Sequence, residues 1–334
     1  MAATSMSSPR WLRATVFGAT ILGGCATPDT GQAQRRRDLV DSASVVPSKV
    51  TAIRLQARTE LTENSAAAAS WTQPGIFFTI NDAGNQPLLF AFDSTGADRG
   101  AWRIAGARNV DWEAASTGPC SPNAQSAAPA PSCVYIGEVG DNDRKRPTRA
   151  IYKVAEPAAQ GAGYTGSLTP ATLVFRYPDQ PHDVEAMYVA PNGDAFLITK
   201  RQLRDDAKER RQALVFTLPA TAWSANAPVV ATLVDSLPIV PGSAPKRQIT
   251  DAALSPDGRH LAVRTYREVY IFVTDSATGR VDGTVPPAVC NLVALDRYQG
   301  EGIAWYGRRG TLLLTSEGRE SPMFAVDCPL PSRQ

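Results

Sequence analysis

The chain has 334 residues, 43% hydrophobic and 20% charged, with a formal net charge of +2. That composition is globular, and its near-neutral balance argues against a dedicated nucleic-acid binder, which needs concentrated positive charge. The basic run at 35–37 reads as a solvated part of a tether.

The N-terminus reads as a processing signal. Arg10 and Arg13 precede an apolar run at 14–21, too short to span a membrane as a mature helix. Leu22-Gly-Gly-Cys25 follows and resembles a bacterial lipobox, which implies cleavage before Cys25 and lipidation of its sulfur. Residues 1–24 are thus expected to be a lipoprotein signal peptide, and 25–48 a lipidated cysteine with a flexible, polar tether. Residues 49–334 form a single domain of roughly 285 residues, ample for a large core. Ala26 follows the cysteine, with no aspartate to retain the chain at an inner membrane. In a Gram-negative host the expected place is the outer membrane, facing the periplasm.

Export makes disulfides permissible. Cys120 and Cys133 bracket a Ser/Pro/Ala-rich loop and are expected to staple it, with Cys290 and Cys328 as the second pair. The four cysteines allow three pairings on sequence alone. There is no Cys-x-x-Cys, and only two histidines, so a zinc site is not expected.

No segment reads as a long amphipathic helix. Short strands separated by turns are predicted instead, beginning with a leftover strand at 50–57. Next come 65–70, 76–80, 88–92 and 101–104, then 110–116, 133–138, 150–154 and 172–177. A third group is 184–190, 195–199, 214–218 and 229–233, and a fourth 249–255, 260–265, 268–274 and 288–295. The last is 302–306, 311–315 and 323–326. Turns at Pro191-Asn-Gly193 and Pro256-Asp-Gly258 separate first from second strands. The groups recur at roughly 50–70 residues, each opened by an acidic mark. NVDWEAAS at 109–116 is the clearest mark, with weaker copies at 62–70, 182–189, 248–255 and 299–306. The pattern predicts an all-β fold, a β-propeller of four-stranded antiparallel blades. Five blades are counted, with six allowed if 155–182 or 219–248 hides another. The strand at 50–57 would complete the last, three-stranded blade and close the ring.

In such a blade the start of strand one and the end of strand two share a face, because they run antiparallel. Strand-one starts carry Glu63, Asp111, Glu113, Asp183, Glu185, Asp251 and Glu301. Strand-two ends carry Asn81, Asp82, Glu138, Asp141, Asn142, Lys200, Arg201, Arg264, Ser316 and Glu317. All are expected around one channel mouth. Crowded carboxylates need a cation, a shared proton or basic partners. Asp111, Glu113, Glu185, Asp251 and Glu301 are the candidate metal ligands, with Ca2+ the expected hard cation. Lys200, Arg201 and Arg264 would hold an anionic group, or else neutralise the acids internally. His182 adjoins the rim, where a lone loop histidine is ordinarily exposed, and Trp112 reads as a packing aromatic. No catalytic residue is assigned, and no G-x-S-x-G elbow is present.

NDAGN at 81–85, DWEAAS at 111–116, YIGEVGDNDRKR at 135–146, ITDAALSPDG at 249–258 and EGIA at 301–304 are among the pieces that carry a family resemblance. Together they resemble exported bacterial lipoprotein propellers, distantly similar to phytase-like and esterase-like propellers. The resemblance implies a propeller, usually six-bladed in the phytase-like relatives, which use calcium and a dense acidic face to bind phosphate esters. The chain departs from their metal-site motifs, so no catalytic residue is carried over. Two functions follow as expectations. One is a lipid-anchored envelope protein binding a divalent cation and a small anionic ligand, as a phosphoester or lactone hydrolase. The alternative is a non-catalytic propeller docking an envelope protein or glycan.

Overall fold

The computed structural model describes Met1 and residues 44–53, 60–121, 131–200, 212–239, 247–295, 297–307 and 310–331. Cys25, the rest of the expected signal peptide after Met1, most of the expected tether and Arg201 lie outside the described residues. The described part is a five-bladed β-propeller. No helix in it is long and apolar enough to cross a membrane.

Blade I runs outward from Ala68–Ala69 through Ile76–Ile80, Leu88–Asp93 and Asp98–Ile104. Blade II runs from Trp112–Pro119 through Ser132–Glu138 and Arg149–Ala155 to Ala171–Arg176. Blade III is Val184–Val189, Ala195–Thr199, Ala213–Leu218 and Thr232–Leu237. Blade IV is Ile249–Leu254, His260–Thr265, Glu268–Val273 and Ala288–Asn291. Blade V takes Gly300–Trp305, Thr311–Ser316 and Met323–Asp327 from the C-terminus, and its fourth strand, Lys49–Ile53, from the N-terminus. That strand closes the ring as the leftover strand at 50–57 implies.

Among the described residues there is no sixth blade. The stretches at 155–182 and 219–248 supply outer strands instead. Tyr164–Leu168 adds a fifth strand to blade I and Val229–Val230 one to blade II, both in parallel. Ser44–Val45 does the same for blade IV.

The core lies between blades rather than inside one. Alternation along a strand sends successive side chains to opposite faces. In Val184–Val189, Ala186 and Tyr188 pack toward blade IV, while Met187 and Val189 pack toward blade II. Similar seams join blades I and II through Phe78 and Trp112, IV and V through Ile271 and Leu314, and V and I through Leu313 and Phe77. Because both faces are buried, inner strands read as continuous apolar runs. Each fully buried large side chain here contributes about 1.5–3 kcal/mol of burial.

Both expected disulfides are present, Cys120–Cys133 and Cys290–Cys328. The first ties the end of blade II's inner strand to its second strand. The second joins blade IV's fourth strand to the segment leaving blade V.

Candidate functional site

The antiparallel pairing brings strand-one starts and strand-two ends together at one mouth of the channel. In blades II to V the pairing slips at the same place, one or two residues into the inner strand. The skipped residues are Glu113, Glu185, Thr250, and Glu301 with Gly302. A bulge leaves its extra residue outside the ladder and re-aims its side chain. Glu113, Glu185 and Glu301 are all buried, and their charges act on one another around the mouth.

The tightest group is on blades I and II. One carboxylate oxygen from each of Asp82, Asp111 and Glu113 lies within 4.8 Å of the other two. Burial raises Asp111 to about 6, helped by Asp82 and opposed by Arg146, which stands 3.9 Å away. Burial, then Glu185 and Asp82, hold Glu113 well above the usual carboxylate range. Ser65 Oγ donates to Glu113. Glu138 braces the group from behind. Its carboxylate accepts the Val110 and Asp111 backbone N–H groups at 2.8 and 3.0 Å, and pairs with Arg146.

These residues fit a cation of hard character. The donors are carboxylate oxygens, the ligands that Ca2+ and Mg2+ prefer. Gly140 leaves room for them: a Cβ there would lie 2.5 Å from Glu113 Cγ and 2.7 Å from Asp111 Cγ. Asp183 stands next in the ring and acts electrostatically on both Asp111 and Glu185. It is 2% exposed, and its Oδ2 has no hydrogen-bond partner among the described residues. Its Oδ1 accepts the Asp141 N–H at 2.9 Å.

The far side of the mouth is built differently. Lys200 Nζ lies 2.7 Å from Glu185 Oε1. Burial opposes the charge on Lys200, but Glu185 and Glu113 outweigh it and raise its pKa. Burial holds Glu185 well above its usual range despite Lys200. Burial also pushes Glu301 to about 7, against Gln299, which donates to it at 3.0 Å, and the more distant Lys200 and Arg264. Glu317 is raised by burial and by Asp82 and Glu63. Tyr266 joins this side, with its hydroxyl pKa raised by burial and by Glu301, Glu185 and Glu113. Tyr266 is not among the residues expected at the mouth. Its signal was position, because Tyr266 follows Thr265 as Lys200 follows Thr199 and Glu317 follows Ser316, each at a strand-two end.

Other expected ring members serve the frame. Asp251 sits one residue past the slip, so Thr250 takes the place that Glu113, Glu185 and Glu301 hold elsewhere. The Asp251 carboxylate accepts backbone N–H groups of Ala67 at 3.1 Å, Ile303 at 2.8 Å and Ala252 at 2.8 Å. It thereby links blades I, IV and V. Arg264 donates to the carbonyls of Gly302 and Thr315 at 2.5 and 2.6 Å. Burial lowers its pKa to about 10, against Glu301 and Asp251. Asp141 pairs with Arg149, and Asn142 is exposed. Glu63 accepts from Asn85 at 2.6 Å. His182 corrects its reading as an exposed loop residue. It is 4% exposed, packs on Tyr177 and Phe216, and its Nε2 lies 3.0 Å from Asp179. Trp112 is a packing aromatic, fully buried against Tyr152.

No family model matches the chain, and no curated protein matches its sequence. Among solved structures it is similar to Myxococcus xanthus glutaminyl cyclase, at 12% identity and a TM-score of 0.45, over 84% of this chain and 97% of that one. It is also similar to a luciferin-regenerating enzyme, at 8% identity and a TM-score of 0.41, over 83% of this chain and 95% of that one. At these identities and TM-scores the likeness carries nothing about function.

Proposed function

We propose that the acidic mouth binds a divalent cation, Ca2+ in the first instance, through Asp82, Asp111 and Glu113. The observation that carries this reading is the approach of three carboxylate oxygens within 4.8 Å. Ca2+ takes oxygen ligands at about 2.3–2.6 Å, so donors this close can share one ion. Carboxylates also outnumber cations in the mouth, and the described cations are already engaged. Lys200 pairs with Glu185, Arg146 with Glu138 and Arg149 with Asp141, while Arg264 bonds to carbonyls.

The same engagement bears on the anionic ligand. With the basic side chains neutralised, a bound cation is the group that draws a phosphate ester or carboxylate to the mouth. The distant resemblance to phytase-like and esterase-like propellers favours phosphoester or lactone hydrolysis there. A bound divalent ion supplies Lewis acidity and a water of lowered pKa to such chemistry. The chain's own part is to hold and orient: Glu138 fixes the Asp111 backbone, Ser65 fixes Glu113, and Gly140 keeps the cradle open.

The proposed setting is the cell envelope, anchored through a lipid on Cys25. The two disulfides support an oxidising compartment. Detergent phase partition of the full chain and of Cys25→Ser tests the anchor.

Thermal melting with Ca2+, Mg2+ and Mn2+, and with chelator, tests the cation. Saturating Ca2+ is expected to raise Tm, and Asp111→Asn to abolish the rise. An unmoved Tm in the native chain overturns the reading. Hydrolysis of an aryl phosphate and of a lactone, with and without chelator, then tests the chemistry.

A further inference from the structure

The channel has a second mouth, where the inner strands end. Its chemistry is the reverse of the first. Toward that end lies a cavity of about 240 Å³, and none of its lining residues is ionisable. Ala69 and Ala253 line it and are half-buried. Trp71, which is 38% exposed, and the buried Trp305 line it with large apolar rings.

The walls hold their side-chain polar groups internally. Thr117 Oγ1 donates to the Ala69 carbonyl at 2.7 Å, and Trp305 Nε1 to the Ala253 carbonyl at 2.9 Å. Both bonds cross between blades and fix the shape of the opening. The neighbouring backbone edge is engaged as well, with the Val189 N–H donating to Ser116 Oγ at 3.1 Å and the Ala67 and Ala252 N–H groups to Asp251, so what remains toward the channel is chiefly apolar surface. An apolar pocket with a few fixed polar groups is the usual form of a small-molecule site. Apolar cavities of roughly 150 Å³ hold benzene, so this volume suits a two-ring compound.

We propose that this second mouth binds a small, neutral, planar ring compound. The two tryptophans and small alanines give the cavity its apolar faces. The cavity shares no lining residue with the group formed by Asp82, Asp111 and Glu113, so the proposal stands whether or not a cation binds there.

Indole is the probe, titrated into the full chain by calorimetry and followed by saturation-transfer NMR. Saturable one-to-one binding is expected, equal with and without saturating Ca2+. Ala253→Leu and Ala69→Leu each fill the cavity from a half-buried position. Each is expected to weaken indole at least ten-fold, with circular dichroism and Tm unchanged. If one variant loses its fold, the other decides. Absence of saturable binding to the native chain overturns the proposal. So does equal affinity in a folded variant, and so does binding that Ca2+ abolishes, which would put the ring in the acidic mouth.

Discussion

Gly140 faces Asp111 so closely that a Cβ on it would stand 2.7 Å from the Asp111 carboxyl carbon. The residue is a glycine because two carboxylates occupy the space a side chain would need. Gly140→Ala is therefore expected to displace Asp111 and Glu113. Ca2+ affinity should fall at least ten-fold, with a stability loss of about 1–3 kcal/mol from overpacking. Calorimetry and a denaturant melt check both numbers. Unchanged affinity would remove Gly140 from the site.

Asp251 should behave in the opposite way. Three backbone N–H groups from three blades point at its carboxylate. Asp251→Ala leaves them without that acceptor, and a loss of about 3 kcal/mol or more is expected. Ca2+ affinity of the folded fraction should not change. Urea unfolding and calorimetry on the same preparation separate the two effects.

Glu301 predicts a pH dependence in the metal-free chain. Its pKa is raised from the ordinary 4.5 to about 7, chiefly by burial. The folded state then binds that proton more tightly than the unfolded state. Stability from this group is complete below the ordinary value and is lost as pH rises through about 7. Tm of the native chain should fall over that window, and Glu301→Gln should flatten the fall. A Glu301→Gln curve parallel to the native one would contradict the assignment.

The disulfide between Cys290 and Cys328 spans 38 residues and ties blade IV to the end of blade V. Closure of a loop this long is worth about 4 kcal/mol in the chain-entropy model. The double variant Cys290→Ser with Cys328→Ser should lose a comparable amount, read by denaturant unfolding under oxidising conditions. It should lose more than Cys120→Ser with Cys133→Ser, whose loop spans 13 residues.

Strand alternation and repeated acidic marks made the propeller legible from the residues, down to the N-terminal strand in blade V. The parallel outer strands were not legible. Tyr164–Leu168 pairs with Asp98–Ile104, some sixty positions upstream, and its exposed side chains leave no hydrophobic alternation to read. Strand direction placed Asp82, Asp111 and Glu113 at one end of their blades, and they meet there. Asp251 was misplaced by its likeness to the other marks. ITDA resembles DVEA in composition, but the slip falls at Thr250, and a one-residue offset turns a strand side chain to the other face. Register is set by pairing with the next strand, which a single segment does not encode.

The most direct measurement is an anomalous difference map from crystals of the full domain soaked in Mn2+. One peak is expected between Asp82, Asp111 and Glu113, absent in Asp111→Asn crystals. A map with no peak there, or with its only peak elsewhere on the propeller, would contradict the cation site.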